Sequence, residues 1–171
     1  MPLPEPWLRG RIASLHPVAE HLIYTFTQCR EEVALHAHAI VDVWQAHPPL
    51  APLGFHLGHI AGSVNRLTTY LSGQQLTPEQ LARLKAESTP GPSLTQLMAV
   101  IDQEFAFTET VVRGIHPNTY SEPRYVGRQQ LPTSVGGLII HMAEHTQRHL
   151  GQAILVAKLA RSSILTMNAP T

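Results

Sequence analysis

Four stretches of this sequence place apolar residues at alternating steps of three and four, and none sustains the two-residue alternation of a half-buried strand, so the core is predicted to form between helices. Leu15, Val18, Leu22, Phe26, Cys29, Val33, Ala37 and Ile40 define the first stripe. It ends at His47-Pro-Pro-Leu-Ala-Pro52, where proline removes backbone donors. Leu53, Leu57, Ile60, Val64, Leu67 and Leu71 form the second stripe. Gly54, Gly58 and Gly62 line its opposite side and predict a close helix contact there.

Thr77-Pro-Glu-Gln80 has the residues of a capped helix start with proline in the first turn, and predicts a short crossover helix that fades before Pro90-Gly-Pro92. Ser93 caps a third long stripe through Leu94, Leu97, Ile101, Phe105, Val112 and Ile115. A polar stretch from Pro117 to about Pro132 is long for a connection and reads as a functional loop or lid. Its Arg124, Tyr125 and Arg128 could meet an anionic substrate or tie the loop to the body. The last stripe holds Val135, Leu138, Met142, Val156 and Leu159, in a helix starting near Thr133 or Ser134 and ending around Arg161. The expected fold is all-α, a four-helix bundle with a short extra crossover helix. It forms one domain over residues 1–171 with its core at about 12–161.

Composition narrows the partners. At 43% hydrophobic and 14% charged the chain has enough apolar residues to fold. Twelve basic residues balance twelve acidic ones without a basic block, which argues against nucleic acid and points to a small-molecule substrate or another protein chain. The Pro-rich start lacks the apolar run of a secretory signal, and no stretch is long enough to cross a bilayer, so a cytoplasmic protein is expected. A single cysteine, Cys29, excludes an intramolecular disulfide and a CxxC site, and reads as a small buried hydrophobe. The anomaly is histidine: eleven, against ten Trp, Tyr and Phe together.

Three of these, His141, His145 and His149, recur at steps of four along one side of the last helix. Each step climbs about 6 Å, so bonds of about 2 Å let adjacent members share an ion but not all three. Projection at about 100 degrees per residue places His145 and His149 near the centre of the apolar stripe and His141 on its flank. Two neutral imidazoles on adjacent core turns need partners, and a divalent ion supplies both. A third ligand would come from the second helix, where the projection leaves His56 and His59 as alternatives. His141-Met-Ala-Glu144-His145 also fits the H-x-x-E-H peptidase pattern, but that reading leaves His149 unexplained and belongs to larger enzymes. Glu144 points away from the stripe, as a solvated carboxylate would. A haem is disfavoured by the missing C-x-x-C-H motif and by the close spacing of the histidines.

Leu57-Gly-His59-Ile-Ala-Gly-Ser63, then Leu131-Pro-Thr-Ser-Val-Gly-Gly137 and His145-Thr-Gln-Arg-His149-Leu-Gly-Gln152, resemble the DinB/YfiT-like superfamily over most of the chain. The resemblance implies a four-helix bundle, often a homodimer, that holds nickel, zinc or iron on three histidines. By position these are His59, His145 and His149, with His56 and His141 left to line the cavity or orient water. An open three-His site permits hydrolysis or thiol chemistry. The resemblance therefore implies a thiol-dependent transferase using a low-molecular-weight thiol, or a metal-dependent hydrolase. The alternative is a non-catalytic metal-binding or stress-related bundle, which the absence of a compelling acid or base residue favours.

Overall fold

The computed structural model describes residues 3–167, so the outermost residues of the expected domain, 1–2 and 168–171, lie outside the described part. Its elements are α1 (Pro17–Ala37), α2 (Leu53–Leu71), α3 (Pro78–Ala86), α4 (Leu94–Arg113), β1 (Pro123–Val126), β2 (Leu131–Ser134) and α5 (Val135–Met167). The four long helices and short α3 bear out the bundle with its crossover helix. Capping chemistry sets several boundaries. The Thr77 hydroxyl accepts from Gln80 N at 3.2 Å while the Gln80 side chain accepts from Thr77 N, and Ser93 and Gln96 repeat the arrangement at α4. The His16 ring caps α1 by accepting from Val18 N, with Pro17 in the first turn.

Side-chain pairs give the helix directions. His56 meets His149, His59 meets His145 and Thr68 meets Met142, so α2 and α5 run antiparallel. Asn65 bonds Glu104 and Thr68 bonds Thr108, so α2 and α4 run parallel. Arg30 with Asp102 and Phe26 stacked on Phe105 at 3.9 Å make α1 antiparallel to α4. The order is up, down, down, up, and the chain must travel back along the bundle between the two parallel helices. Residues 72–93, containing α3, make that crossover. The core is filled by Leu22, Phe26, Ile60, Ile101, Phe105 and Met142, all fully buried.

Several expectations need correction. The first helix stops at Ala37; Ile40 and Val43 are buried from the loop that follows. The last helix continues to Met167, past the Arg161 end. The long polar stretch is not irregular: β1 and β2 pair antiparallel, Tyr125 opposite Pro132, so two strands exist where periodicity indicated none. Four-residue strands are too short to show alternation, and positive φ at Gly127 and Gln130 turns the chain between them. The glycine stripe is not a uniform helix contact. Gly58 does face Leu97 of α4, but Gly54 seats the Trp44 indole and Gly62 faces Glu87.

Candidate metal centre

The buried centre of α5 runs through Met142, Thr146, Leu150 and Ala153. Relative to Thr146, His149 lies about 60 degrees round the helix, His145 about 100 and His141 about 140. The expected placement of His145 and His149 at the stripe's centre is therefore corrected to its α2-facing flank. The projection misplaced them because Leu159, counted as core, is 40% exposed, while Ile139, Thr146 and Leu150 had been left out. The flank position leaves both rings at the edge of the core, where a cleft reaches His145.

From α2, His59 presents Nε2 to His145 Nε2 at 3.0 Å, and its Nδ1 lies 2.7 Å from Glu87 Oε2. His56, one turn earlier and 3% exposed, puts Nδ1 3.2 Å from His149 Nδ1. One ring nitrogen from each of His59, His145 and His149 lies within 4.8 Å of the others. Phe55 stacks on His59 with ring centroids 5.5 Å apart and meets His56 and His149 edge-on, closing the apolar side of the cluster. Burial, and next the neighbouring His59, hold His145 down to about 4; burial, His59, His145 and His56 do the same for His149. His56 is also lowered, by burial and then by His59. At neutral pH His145 and His149 are uncharged, the form that ligates a metal.

The family model of the DinB superfamily matches residues 12–153. The chain belongs to the DinB superfamily. No curated protein matches it. Members of this superfamily are expected to carry an ion on three histidines, and the residues of this DinB chain fit one. Imidazole nitrogens sharing an ion through bonds of about 2.0–2.1 Å sit about 3.0–3.4 Å apart. The His59–His145 pair is already at 3.0 Å. His145 Nδ1 is buried with no hydrogen-bond partner, so protein contacts alone leave a ring nitrogen of this cluster unsatisfied. Both other rings have Nδ1 engaged from outside the group, His59 by Glu87 and His149 by His56, which leaves Nε2 for the centre.

The other sequence candidates fall as follows. His56 touches His149 directly and is part of the cluster. His141 stands apart from the three-nitrogen group; its Nδ1 is 2.8 Å from Glu144, and both side chains are about half exposed, 45% and 52%. Glu144 is thus a solvated carboxylate, and the H-x-x-E-H reading has no support in the geometry. The hairpin is not a lid over the histidines. The Arg124 guanidinium donates to Leu71 O at 2.8 Å, tying the hairpin to the far end of α2. Twelve residues of helix separate Leu71 from His59, about 18 Å.

Sequence reasoning missed Phe55, Arg66 and Glu87. Phe55 had a signal, since it stands four residues before His59 and shares its face. Arg66 likewise lies seven residues, two turns, after His59 on α2. Glu87 had none: it is the C-cap residue of α3, a helix with no buried residue, and only the folded crossover brings it to α2. There it binds Arg66 through Oε1, with both side chains about nine-tenths buried. Burial pushes the Glu87 carboxyl up, but hydrogen bonds from His59 and Arg66 and the Arg66 charge outweigh it and hold it below the usual carboxylate range.

Among the described residues, no helix is long and apolar enough to cross a membrane.

Proposed function

We propose that this DinB-superfamily chain holds a divalent transition metal, nickel, zinc or iron, on His59, His145 and His149, and uses it to transfer a low-molecular-weight thiol to a small electrophile. The observation that carries the reading is the meeting of three imidazoles, with no fourth protein ligand among the described residues, beside an open cleft. The cleft has a volume of about 310 Å³ and is lined by His59, His145 and His141 together with Leu67, Tyr70 and Leu84. It is large enough for a small organic molecule and largely apolar. A bound divalent ion supplies Lewis acidity, deprotonating a thiol or acidifying water.

The residues of this chain favour the thiol over hydrolysis. The described residues lining the cleft include no carboxylate, which leaves half-exposed His141 as its one imidazole outside the ligand set to serve a hydrolytic water. Both oxygens of Glu87, the nearest buried acid, are engaged by His59 and Arg66. A thiol held there would have its pKa lowered by the ion and would lose its proton to solvent, so it would need no protein base. Phe55 and His56 keep the rings of His59 and His149 in place, while Leu67, Tyr70 and Leu84 present an apolar surface to the electrophile. Association as a homodimer and a cytoplasmic setting belong to the same reading. The alternative, a metal-binding bundle without turnover, is favoured by that same lack of a carboxylate in the cleft.

Elemental analysis of the purified chain tests the site. About one divalent transition metal per chain is expected. His145→Ala or His149→Ala should abolish it and His141→Ala should leave most of it. Unchanged metal content in the His149 variant would overturn the ligand assignment. Loss of free thiol, followed with a panel of low-molecular-weight thiols and alkylating electrophiles, tests the reaction. Metal without thiol binding or turnover favours the non-catalytic alternative.

A further inference from the structure

We propose that Glu87 is a positioning residue for the metal centre: it accepts the Nδ1 proton of His59 and so fixes the tautomer that presents Nε2 to His145 and the ion, while Arg66 holds the carboxylate in place. The proposal rests on the metal reading for its purpose, though not for its geometry.

A neutral imidazole carries its proton on one nitrogen, and the partner of each nitrogen decides which. Nδ1 of His59 faces a carboxylate oxygen at 2.7 Å, and Nε2 faces the imidazole of His145 at 3.0 Å. An ionised carboxylate only accepts, so Nδ1 must donate and Nε2 keeps its lone pair. Glu87 cannot turn freely. Its other oxygen is bound by Arg66 Nη1, and the two side chains are 9% and 10% exposed. Arg66 is on α2, two turns after His59, so the helix that carries the ligand also carries the cation that anchors the ligand's partner.

The backbone makes room for this arrangement. A Cβ at Gly62 would overlap Glu87 Oε1 and would stand 2.8 Å from Arg66 Nη1. Glycine at this point of α2 lets the carboxylate from the crossover come in against the helix. Histidine ligands of metals usually donate their second N–H to a carboxylate or carbonyl, and removing that partner typically costs 10–100-fold in metal affinity. Of the three rings grouped here, His59 alone has a charged acceptor of this kind: His149 leans on another imidazole, and His145 Nδ1 has no partner.

Two measurements on Glu87→Gln and on Gly62→Ala, which displaces the carboxylate without deleting it, test the proposal. In the metal-stripped full chain, nitrogen-15 NMR of the imidazoles should show His59 in the wild type protonated at Nδ1, with the Nε2–H form gaining population in both variants. Competition with a chromophoric chelator for cobalt or zinc should show affinity falling 10–100-fold in both variants, with about one ion still bound at saturation, whereas His59→Ala loses the site. Glu87→Asp should restore part of the loss. A purely structural role for Glu87 moves neither the tautomer nor the stoichiometric affinity of the folded variants. An unchanged tautomer, or an affinity within threefold of wild type, overturns the proposal. If the wild type binds no metal, the reading of the metal site fails, and the tautomer alone decides the role of Glu87.

Discussion

Gly54, Gly58 and Gly62 look equivalent in sequence, one stripe at steps of four, yet the structure assigns alanine at each a different outcome. At Gly58 the new Cβ would stand 3.7 Å from Leu97 Cδ2, an ordinary contact, in the interior of α2. Alanine there recovers most of the helix-propensity penalty of glycine, a gain of about 0.5–1 kcal/mol. At Gly54 the Cβ would stand 2.6 and 2.8 Å from the fused carbons of the Trp44 indole, a rigid ring that cannot yield by a single torsion. Overpacking of that kind costs about 1–3 kcal/mol. Displacing the ring also breaks the 2.8 Å bond from Trp44 Nε1 to Pro92 O, worth about 1 kcal/mol. The net loss is about 2–4 kcal/mol. At Gly62 the overlapping atoms are the ends of Glu87 and Arg66, which must leave their ion pair to make room. The helix gain of about 1 kcal/mol offsets only part of a charge-assisted bond worth about 1.5–3 kcal/mol, a net loss of about 0.5–2 kcal/mol, and metal affinity falls as well. Urea unfolding at neutral pH separates the three. With a slope near 2 kcal/mol/M, the midpoint should rise by about 0.3–0.5 M for Gly58→Ala, fall by at least about 1 M for Gly54→Ala and fall by about 0.3–1 M for Gly62→Ala. Near-ultraviolet circular dichroism should change only in the Gly54 variant, where Trp44 moves. A Gly54→Ala protein as stable as Gly58→Ala would refute the seating of the indole, and with it the view that this stripe serves three different neighbours.

Other perturbations have equally definite outcomes. In metal-free protein, His145 and His149 titrate at about 4 folded against 6.5 unfolded, so the unfolded chain binds more protons between those values. Stability should be level above about pH 6.5 and fall as pH drops toward 4, and a His145→Ala/His149→Ala double variant should show a flatter urea midpoint across that window. Cys29 is fully buried and its thiol is pushed up to about 12 by burial, so thiol reagents should leave the native chain untouched at pH 8 and label it stoichiometrically in denaturing urea. Phe105→Ala should cost about 3–5 kcal/mol, and a double-mutant cycle with Phe26→Ala should return a coupling of about 0.5–1.5 kcal/mol for the stacked rings. No coupling would mean that the pair contributes burial alone.

What the sequence made legible was what helical periodicity carries. The four stripes found α1, α2, α4 and α5 because each buries one face against its neighbours, and the capping residues at Thr77 and Ser93 marked two helix starts to the residue. Periodicity gave less at the ends, because burial does not require helix: Ile40 and Val43 continue the apolar pattern while the chain has already left α1. The hairpin was illegible for a related reason. Its four-residue strands are too short for the alternation of burial along β1 to stand out in the sequence, and what fixes them is a local ladder plus the long-range bond from Arg124 to Leu71 O.

The centre shows the same boundary at finer scale. His145 and His149 were found because two ligand-type residues on one helix keep a spacing that geometry imposes, even though the assumed stripe centre was wrong. Between His56 and His59 no projection could choose, since both face the neighbouring helix, and the structure shows why: both imidazoles reach α5, one meeting His149 and the other His145. What separates them is not on α2 at all. His59 has Glu87 behind it, delivered by a crossover helix whose own sequence is polar, short and without a buried residue, and received at a glycine that reads as a helix-packing position. A ligand that must be oriented needs a partner approaching from outside its own helix: for His149 that is His56 on a neighbouring helix, but for His59 it comes from a connection, where periodicity is silent.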